Sequence, residues 1–225
     1  FYALGPSISD VQASSGEKSL YFDDNRTDQA CSLTRQFTSR TAAVVEYMLY
    51  LEEDTAAKSE IWLGMGSGTP GNYLTNIAFY QSSPDATEMS VKYNNGTWNN
   101  VTGTTGLTYD EWHTIRLEGC IGMPSYLYID GELICEIPGS FKNITDLTYV
   151  YFMAGSNKAV GASCYIDDIK LMTFDNNTLS DITVAIDDWS LDIGQKAQLA
   201  VQADTEQGTS CRAGGSYSCQ RGNPD

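Results

Sequence analysis

Two neighbouring carboxylates lie within a segment that has the pattern of a β-strand, "CYIDDIKLM" at residues 164–172. Side chains alternate across a strand, so Asp167 and Asp168 point to opposite faces, and at least one of them shares a face with apolar residues. A buried, unpaired charge is costly, so that carboxylate requires a backbone amide, an arginine or a bound cation as its partner. The two residues by themselves leave all three partners open.

A second set of residues has the types needed for proton abstraction, the chemistry of polysaccharide lyases. Such an enzyme needs a Tyr or His base and an Arg, Gln or Asn that neutralises the carboxyl group of the substrate. His113 shares a strand face with Ile115 and Leu117, which is typical of a hydrogen-bonded core histidine, whereas Arg116 points to the opposite face. The residues that could form the set are His113, Arg116, Tyr80, Gln81, Lys92 and Tyr93.

Aromatic side chains beside polar ones could bind sugars, because rings stack on sugar faces while polar groups fix hydroxyls. Trp98 follows an Asn-Gly turn in an asparagine-rich loop, where it either faces a ligand or folds over its own hairpin. Strand alternation predicts that Trp62 and Tyr80 share an outer sheet face with Lys92 and Glu46. The predicted ligand-binding residues are therefore Trp98, Trp62, Tyr80, Lys92 and Asn95.

The chain is strongly acidic, with 29 Asp and Glu residues against 13 Lys and Arg residues and a formal net charge of −16. This charge repels phosphate backbones, so nucleic acid is not expected as a partner. No apolar stretch approaches the ~20 residues of a membrane span, so membrane insertion is not expected either. A single histidine excludes metal sites built from several histidines, whereas an acidic surface suits calcium, which prefers oxygen ligands.

The cysteines and glycosylation sequons indicate an extracellular protein. Six cysteines, an even number without a C-x-x-C pair, favour disulfides and therefore an oxidising compartment. Asn-x-Ser/Thr sequons support a secreted or cell-surface glycoprotein, and they begin at Asn25, Asn95, Asn100, Asn143 and Asn176.

The elements that must position these residues are strands. Alternating apolar and polar residues indicate about eleven short strands between residues 19 and 174, separated by turn signals such as "GSGTPGN" and "NNGTWNN". "AAVVEYMLYLEE" could also be a buried helix, but its neighbours favour a strand. The pattern predicts an all-β protein, with an antiparallel β-sandwich or jelly roll at residues 1–176, in which Trp112 packs as the fold-defining tryptophan of its strand. Residues 181–225 begin a fresh alternation and are predicted to form a small, incomplete second β-domain, stapled by Cys211 and Cys219.

Three segments carry a resemblance to known proteins: "SSGEKSLYFDD", "YDEWHTIRLEG" with the "SYLYIDGELICEIPG" hairpin, and "CYIDDIKLM". Together they resemble the concanavalin A-like lectin/glucanase superfamily, especially laminin-G-like and carbohydrate-binding-module jelly rolls, over roughly residues 15–174. The tail from "DITVAI" to "LDIGQKAQLAVQA" resembles the opening strands of a bacterial immunoglobulin-like (Big) domain. This resemblance implies a multi-domain secreted protein.

The resemblance also implies a metal site and two cystine bridges. Relatives place the first and last strands side by side and hold a structural calcium there, which implies the ligands Asp23, Asp24, Asp167 and Asp168. The competing interpretation is that one Asp accepts backbone N–H bonds while the other faces water. The same adjacency implies a Cys31–Cys164 disulfide, which leaves Cys120 and Cys135 to close the hairpin between them.

These observations predict a non-catalytic carbohydrate-binding or accessory module of a secreted polysaccharide-acting or cell-surface protein, with a glycan and neighbouring domains as partners. The glucanase branch of the superfamily carries Glu-x-Asp-x-x-Glu on one strand, but the nearest comparable strand here has Glu60 alone, which argues against that enzyme. Two alternatives stay open. One is a jelly-roll lyase with a tyrosine base, and the other is a structural or adhesive module.

Overall fold

The computed structural model describes residues 5–23, 30–52, 60–69, 71–83, 85–139, 142–155 and 163–175. It also describes the backbone of residues 179–186, 196–205 and 210–218. The chain divides into two compact units, residues 1–175 and 176–225. Asp24 and Cys219 lie outside the described residues, and the side chain of Cys211 is not described either, so the predictions on these three stay predictions.

The first unit consists of two antiparallel sheets. Seven strands form one sheet in the order β1-β2-β13-β4-β9-β10-β11: β1 Ser7–Ser9, β2 Ser19–Phe22, β4 Ala42–Leu51, β9 Trp112–Cys120, β10 Ser125–Ile129, β11 Glu132–Ile137 and β13 Cys164–Phe174. Six strands form the other in the order β3-β12-β5-β6-β7-β8: β3 Cys31–Arg40, β5 Glu60–Gly66, β6 Tyr73–Tyr80, β7 Ser90–Asn94, β8 Trp98–Asn100 and β12 Leu147–Ala154. The predicted all-β sandwich is therefore confirmed, and no helix occurs in the described residues.

Strict alternation places the core between the sheets. Every second residue of β4 is buried, beginning with Ala43, so the ambiguous segment is a strand with one apolar face. The inner face of β9 follows the same rule and includes His113, Ile115 and Leu117. These side chains form one hydrophobic core with residues of the six-stranded sheet such as Leu63. The burial of this shared face stabilises the sandwich.

The sheets approach closely at Gly119 on β9. A β-carbon added there would collide with the sulfur of Met65 on β5, in the facing sheet. A larger residue at this point would force Met65 to shift, so the glycine serves the packing between the layers rather than a turn.

The first and last long strands of the unit lie side by side, as predicted. β13 pairs antiparallel with β2, with Cys164 opposite Phe22 and Ile166 opposite Leu20. On its other edge β13 pairs with β4 and contains a bulge between Asp167 and Lys170. Asp168, within this bulge, has a φ of 49°, a left-handed conformation that Asp tolerates better than most residues.

The second unit contains a three-stranded antiparallel sheet. Its strands are β14 Leu179–Ile186, β15 Lys196–Thr205 and β16 Ser210–Ser218, in that order across the sheet. In the described residues of both units, no helix has the length and apolarity of a membrane span.

Candidate functional site

The strand register brings four of the predicted ligand-binding residues to the outer face of the six-stranded sheet. Trp62 on β5 lies opposite Ala78 on β6, and Ala78 lies opposite Lys92 on β7. Tyr80 lies at the end of β6, opposite Glu60. The residues that alternate with them, such as Ile61 and Phe79, point into the core, which leaves these polar and aromatic side chains on the outside.

Trp62, Tyr80, Lys92 and Trp98 form one cluster, called here the tryptophan cluster. The rings of Trp62 and Trp98 meet edge to face, with centroids 5.1 Å apart and an interplanar angle of 86°. The ammonium group of Lys92 lies 4.9 Å from the ring centroid of Tyr80 and 5.0 Å from that of Trp98. Cation–π and edge-to-face contacts of this kind fix the rings relative to one another. Trp98 remains 40% exposed, so a ring surface is left for a ligand.

Glu60 connects the cluster electrostatically. One carboxylate oxygen accepts the indole N–H of Trp62 at 3.1 Å, and the other lies 2.5 Å from the Lys92 nitrogen. The two charged side chains are only 27% and 19% exposed, so their charges are screened less than those of a fully solvated pair. Because the charges cancel, the tryptophan cluster presents a locally neutral surface, in contrast to the acidity of the chain.

The hairpin between β7 and β8 supports this surface. Asn95 at its tip donates from Nδ2 to the carbonyl of Pro138 at 3.3 Å and accepts from Asn99 at 3.0 Å. Its amide is therefore engaged in holding the hairpin, whereas the prediction placed it against a ligand. Asn100 instead reaches the cluster, because its Oδ1 accepts the hydroxyl of Tyr80 at 3.3 Å.

A patch of tyrosines that the sequence did not predict covers the sheet beside the cluster. Tyr151 stacks on Tyr73 with centroids 5.1 Å apart, and its hydroxyl donates to Asn76 Oδ1 at 2.5 Å. Tyr151 lies so close over β5 that a β-carbon added at Gly64 would collide with its ring. The glycine in "WLGMG" marks this close approach, but that signal alone does not show which ring lies above it.

Two surface cavities formed by described residues, of about 300 and 330 Å³, lie on the seven-stranded sheet, one beside the β13 bulge and the other between β4, β9 and the start of β10. Neither of these two cavities is lined by a residue of the tryptophan cluster.

Asp23, the described predicted calcium ligand near the chain's start, does not come together with Asp167 and Asp168. Asp167 Oδ2 accepts the backbone N–H groups of Ser14 and Ser15, and its Oδ1 accepts the N–H of Asp168. Asp168 accepts the Ser15 hydroxyl at 2.7 Å. The pairing of β2 with β13 places Asp23 about four residues along the strand direction from Asp167, so the two residues are about 13 Å apart.

These contacts match the competing interpretation, in which backbone donors satisfy the carboxylate. Among the described residues, no group of three or more His, Cys, Asp and Glu side chains is placed to hold a metal ion. Asp23, Asp167 and Asp168 are therefore not placed to share one calcium ion, and the prediction for Asp24 stays a prediction.

The predicted Cys120–Cys135 bridge is incompatible with the strand order. Strand β10 lies between β9 and β11, so the two residues are two strands apart, or about 10 Å. A disulfide needs Cα atoms closer than about 7 Å. In addition, Cys135 lies opposite the buried Leu127 and points inward, whereas Cys120 belongs to the outer face of β9.

Cys31 and Cys164, by contrast, are both buried in the core. Cys31 lies opposite Ala154, the last residue of β12. The connection that follows β12 leads to Cys164, the first residue of β13, so the two cysteines lie at the same end of the sandwich. All four described cysteines are thiols in this structure. Burial and then the neighbouring Cys31 raise the pKa of the Cys164 thiol.

In the predicted lyase set, Tyr80 and Lys92 meet in the tryptophan cluster, whereas the other four residues lie apart from them. His113 is buried, with Nδ1 2.7 Å from Asp130 and Nε2 3.1 Å from the Thr108 hydroxyl, and this confirms its prediction as a satisfied core histidine. Arg116 lies on the outer face of the other sheet, where it pairs with Glu46 and Glu118. The prediction that Glu46 accompanies Lys92 is therefore wrong. Gln81 is buried, and Tyr93 packs against the core.

No protein-family model matches the chain, and no curated protein matches it. A carbohydrate esterase from the Shiga toxin-encoding bacteriophage phi24B is similar in structure, with a TM-score of 0.59, 14% identity, and coverage of 77% of this chain and 89% of that chain. A cellulose-induced protein has a TM-score of 0.52 and 14% identity, with 77% and 88% coverage.

A sialidase has a TM-score of 0.54 and 12% identity over 72% of this chain, but the match covers only 16% of the sialidase. The comparisons give no support to a relationship between residues 181–225 and bacterial immunoglobulin-like domains. At these identities the likeness shows the fold alone: the first unit is a jelly-roll β-sandwich.

Proposed function

We propose that the chain is a non-catalytic carbohydrate-binding module that holds a glycan on the tryptophan cluster. The observation that carries this proposal is the convergence of Trp62, Trp98, Tyr80 and Lys92 on one outer sheet face. Exposed rings at fixed angles suit stacking on sugar faces, and neighbouring amides and charged groups can fix hydroxyls. The fold is shared with structures described as a carbohydrate esterase and a sialidase, which supports a carbohydrate ligand.

The charge balance of the cluster favours a neutral sugar. Lys92 is neutralised by Glu60 at 2.5 Å, so it offers no net charge to a uronate or sulfate. The net charge of −16 on the whole chain adds a repulsive field for polyanions. A neutral glycan avoids both penalties.

A binding role is favoured over β-elimination because Tyr80 and Lys92 alone among the lyase residues share a face, and Lys92 is already paired with Glu60. Tyr80 lies on the outer face of the six-stranded sheet, whereas Arg116 lies on the outer face of the seven-stranded sheet and His113 lies in the core. A lyase requires its base and its neutralising group around one substrate carboxyl. Incubation with uronic-acid polymers should therefore give no increase in the ultraviolet absorbance of unsaturated products.

The extracellular setting belongs to the same proposal. Its support is the even number of cysteines and the sequons, together with the acidic surface. In this proposal the module is secreted as part of a larger polysaccharide-acting or surface protein, whose other domains are its covalent neighbours.

The proposal is tested with a glycan array and two variants. Trp98→Ala removes the exposed ring and should weaken binding to the recognised neutral glycan at least about fivefold, since a stacking contact contributes about 1 kcal/mol or more. Leu133→Ala removes an apolar side chain that is 53% exposed on the other sheet, and it should bind like the wild type. Unchanged binding by Trp98→Ala, with a preserved fold, would contradict the proposed site.

Glycosylation offers a second test of the same surface. Asn100 begins an Asn-Val-Thr sequon and is hydrogen-bonded to Tyr80 in the cluster. A glycan attached there would cover the rings, so protein made in a host that N-glycosylates should bind sugar more weakly than bacterially produced protein. Asn100→Gln should abolish this difference, whereas Asn143→Gln, which removes an exposed sequon elsewhere, should leave it unchanged.

A further inference from the structure

A second set of aromatic side chains forms a continuous row across four strands of the seven-stranded sheet. In the register Tyr21 on β2 lies opposite Tyr165 on β13, Tyr165 lies opposite Tyr50 on β4, and Tyr50 lies opposite Trp112 on β9. Successive ring centroids are 4.7, 5.9 and 5.5 Å apart. We call Tyr21, Tyr165, Tyr50 and Trp112 the aromatic row.

The aromatic row lies on the outer face of its sheet. Its chain neighbours Phe22, Cys164, Leu49 and His113 are buried in the core, so the four rings point away from the core. Tyr21, Tyr50 and Trp112 are partly exposed, whereas Tyr165 is only 4% exposed. Trp112, predicted to pack as the fold-defining tryptophan of its strand, packs against the ring of Tyr50 within this row.

The row has the length and rigidity of an extended binding platform. Four strands at the usual spacing place the outer two rings about 14 Å apart, which exceeds the width of a single sugar ring and suits an oligosaccharide. Each ring is held by its neighbours and by a sheet backbone, so little conformational entropy is lost when a ligand stacks on it.

Polar side chains contact two of the tyrosine hydroxyls, one as an acceptor and one as a donor. Glu52 accepts the hydroxyl of Tyr165 at 3.3 Å, and the Gln12 amide donates to the hydroxyl of Tyr50 at 3.4 Å. Burial and then Glu52 raise the pKa of Tyr165 to about 12, and Asp110 contributes to the raised pKa of Tyr50, after burial. Every charged group that shifts these two pKa values is acidic.

From this geometry we propose that the aromatic row is a second glycan-binding platform, specific for neutral oligosaccharides. The partly exposed rings of Tyr21, Tyr50 and Trp112 supply stacking surfaces and the buried Tyr165 joins them, while Glu52 and Gln12 supply partners for sugar hydroxyls. The acidic surroundings repel uronates and sulfates, and they oppose the approach of a second copy of a chain whose net charge is −16. Because the outer faces of two stacked sheets point in opposite directions, one chain can hold two glycans, one on each side.

The test separates the two faces by substitution. Titration calorimetry with cellohexaose, mannohexaose and xylohexaose uses the wild type, a Trp62→Ala/Trp98→Ala variant, and that variant with Trp112→Ala added. The variant that lacks both cluster tryptophans should keep one binding event for the recognised hexasaccharide. Addition of Trp112→Ala should weaken that event at least about fivefold, as expected when a stacking ring is lost.

A matched control removes an aromatic ring from the same outer face but away from the row. Tyr128 on β10 lies opposite Arg116 and outside the row, so Tyr128→Ala should not alter binding. Tyr21→Ala provides a second substitution within the row, in case Trp112→Ala does not fold. Circular dichroism confirms that each variant retains the sheet structure.

The outcomes distinguish this inference from the proposed function. If Trp112→Ala and Tyr21→Ala both bind like the wild type in the cluster-deficient background, the second platform is refuted. It is refuted equally if sedimentation shows a wild-type dimer that Tyr21→Ala dissociates, because the row is then a self-association surface. If binding is unaffected by Trp62→Ala/Trp98→Ala but abolished by Trp112→Ala, the aromatic row stands and the tryptophan cluster fails as a site.

Discussion

Lys92→Met tests whether the tryptophan cluster is held together electrostatically. Methionine keeps most of the apolar stem of lysine but removes the ammonium group that lies near Glu60, Tyr80 and Trp98. Two cation–π contacts are lost at about 0.5–1 kcal/mol each. The partly buried Glu60 is also left with only the Trp62 N–H as its partner in the cluster, which costs about 1–3 kcal/mol.

The contributions overlap, so the expected loss in the free energy of unfolding is about 2–3 kcal/mol. For a unit of this size the melting temperature should fall by roughly 4–12 °C. Scanning calorimetry on the intact chain measures the fall, and Lys18→Met, at an exposed lysine, serves as the matched control. That control should change stability by less than about 0.5 kcal/mol.

A double variant identifies the cause of the loss. Glu60→Gln added to Lys92→Met removes the unpaired charge, so the double variant should recover at least about 1 kcal/mol relative to Lys92→Met alone. Equal stability of Lys92→Met and Lys18→Met, or a double variant less stable than Lys92→Met, would refute the electrostatic account of the cluster.

Three further predictions concern the core and the seven-stranded sheet. The buried Tyr47 hydroxyl has no hydrogen-bond partner among the described residues, so Tyr47→Phe should raise the free energy of unfolding by about 1 kcal/mol in a denaturant titration; a loss of stability would contradict this. A hydrogen bond from Lys170, followed by Arg116, lowers the pKa of Glu46 from its ordinary value of 4.5. Lys170→Met should therefore be less stable than the wild type at neutral pH, and the difference in stability should disappear as the pH falls below 4.5 and Glu46 becomes protonated. A stability difference that persists in acid would show that the Lys170–Glu46 hydrogen bond is not its cause. Finally, we propose that oxidised glutathione joins Cys31 to Cys164, with loss of both thiol hydrogens and reduction of the glutathione disulfide. The bridge should raise stability by about 4–5 kcal/mol, and full alkylation of both thiols after oxidation and unfolding would contradict it.

The parts of the fold that the sequence predicted correctly follow from the local alternation of apolar and polar residues. The strand at Ala42–Leu51 and the outward orientation of Trp62 and Tyr80 depend only on which neighbours are apolar. The antiparallel sandwich followed from short strands separated by turn signals, without segments for helical crossovers.

The incorrect predictions depended on strand pairing between distant parts of the chain. Glu46 shares the alternation pattern of Lys92, but β4 belongs to the seven-stranded sheet, and no local signal assigns a strand to one sheet or the other. Cys120 and Cys135 flank what reads as one hairpin, yet β10 is inserted between their strands. The aromatic row was missed for the same reason, because its members become neighbours only in the register of four strands.

The most direct measurement of the central claim is an NMR titration that follows the four tryptophan indole N–H signals during addition of the glycan selected by the array. The account predicts that the signals of Trp62 and Trp98 shift at the lowest ligand concentrations, since these rings form the cluster. Trp189 belongs to the second unit and should not respond. Saturable binding during which the Trp62 and Trp98 signals stay unchanged would show that the glycan lies elsewhere.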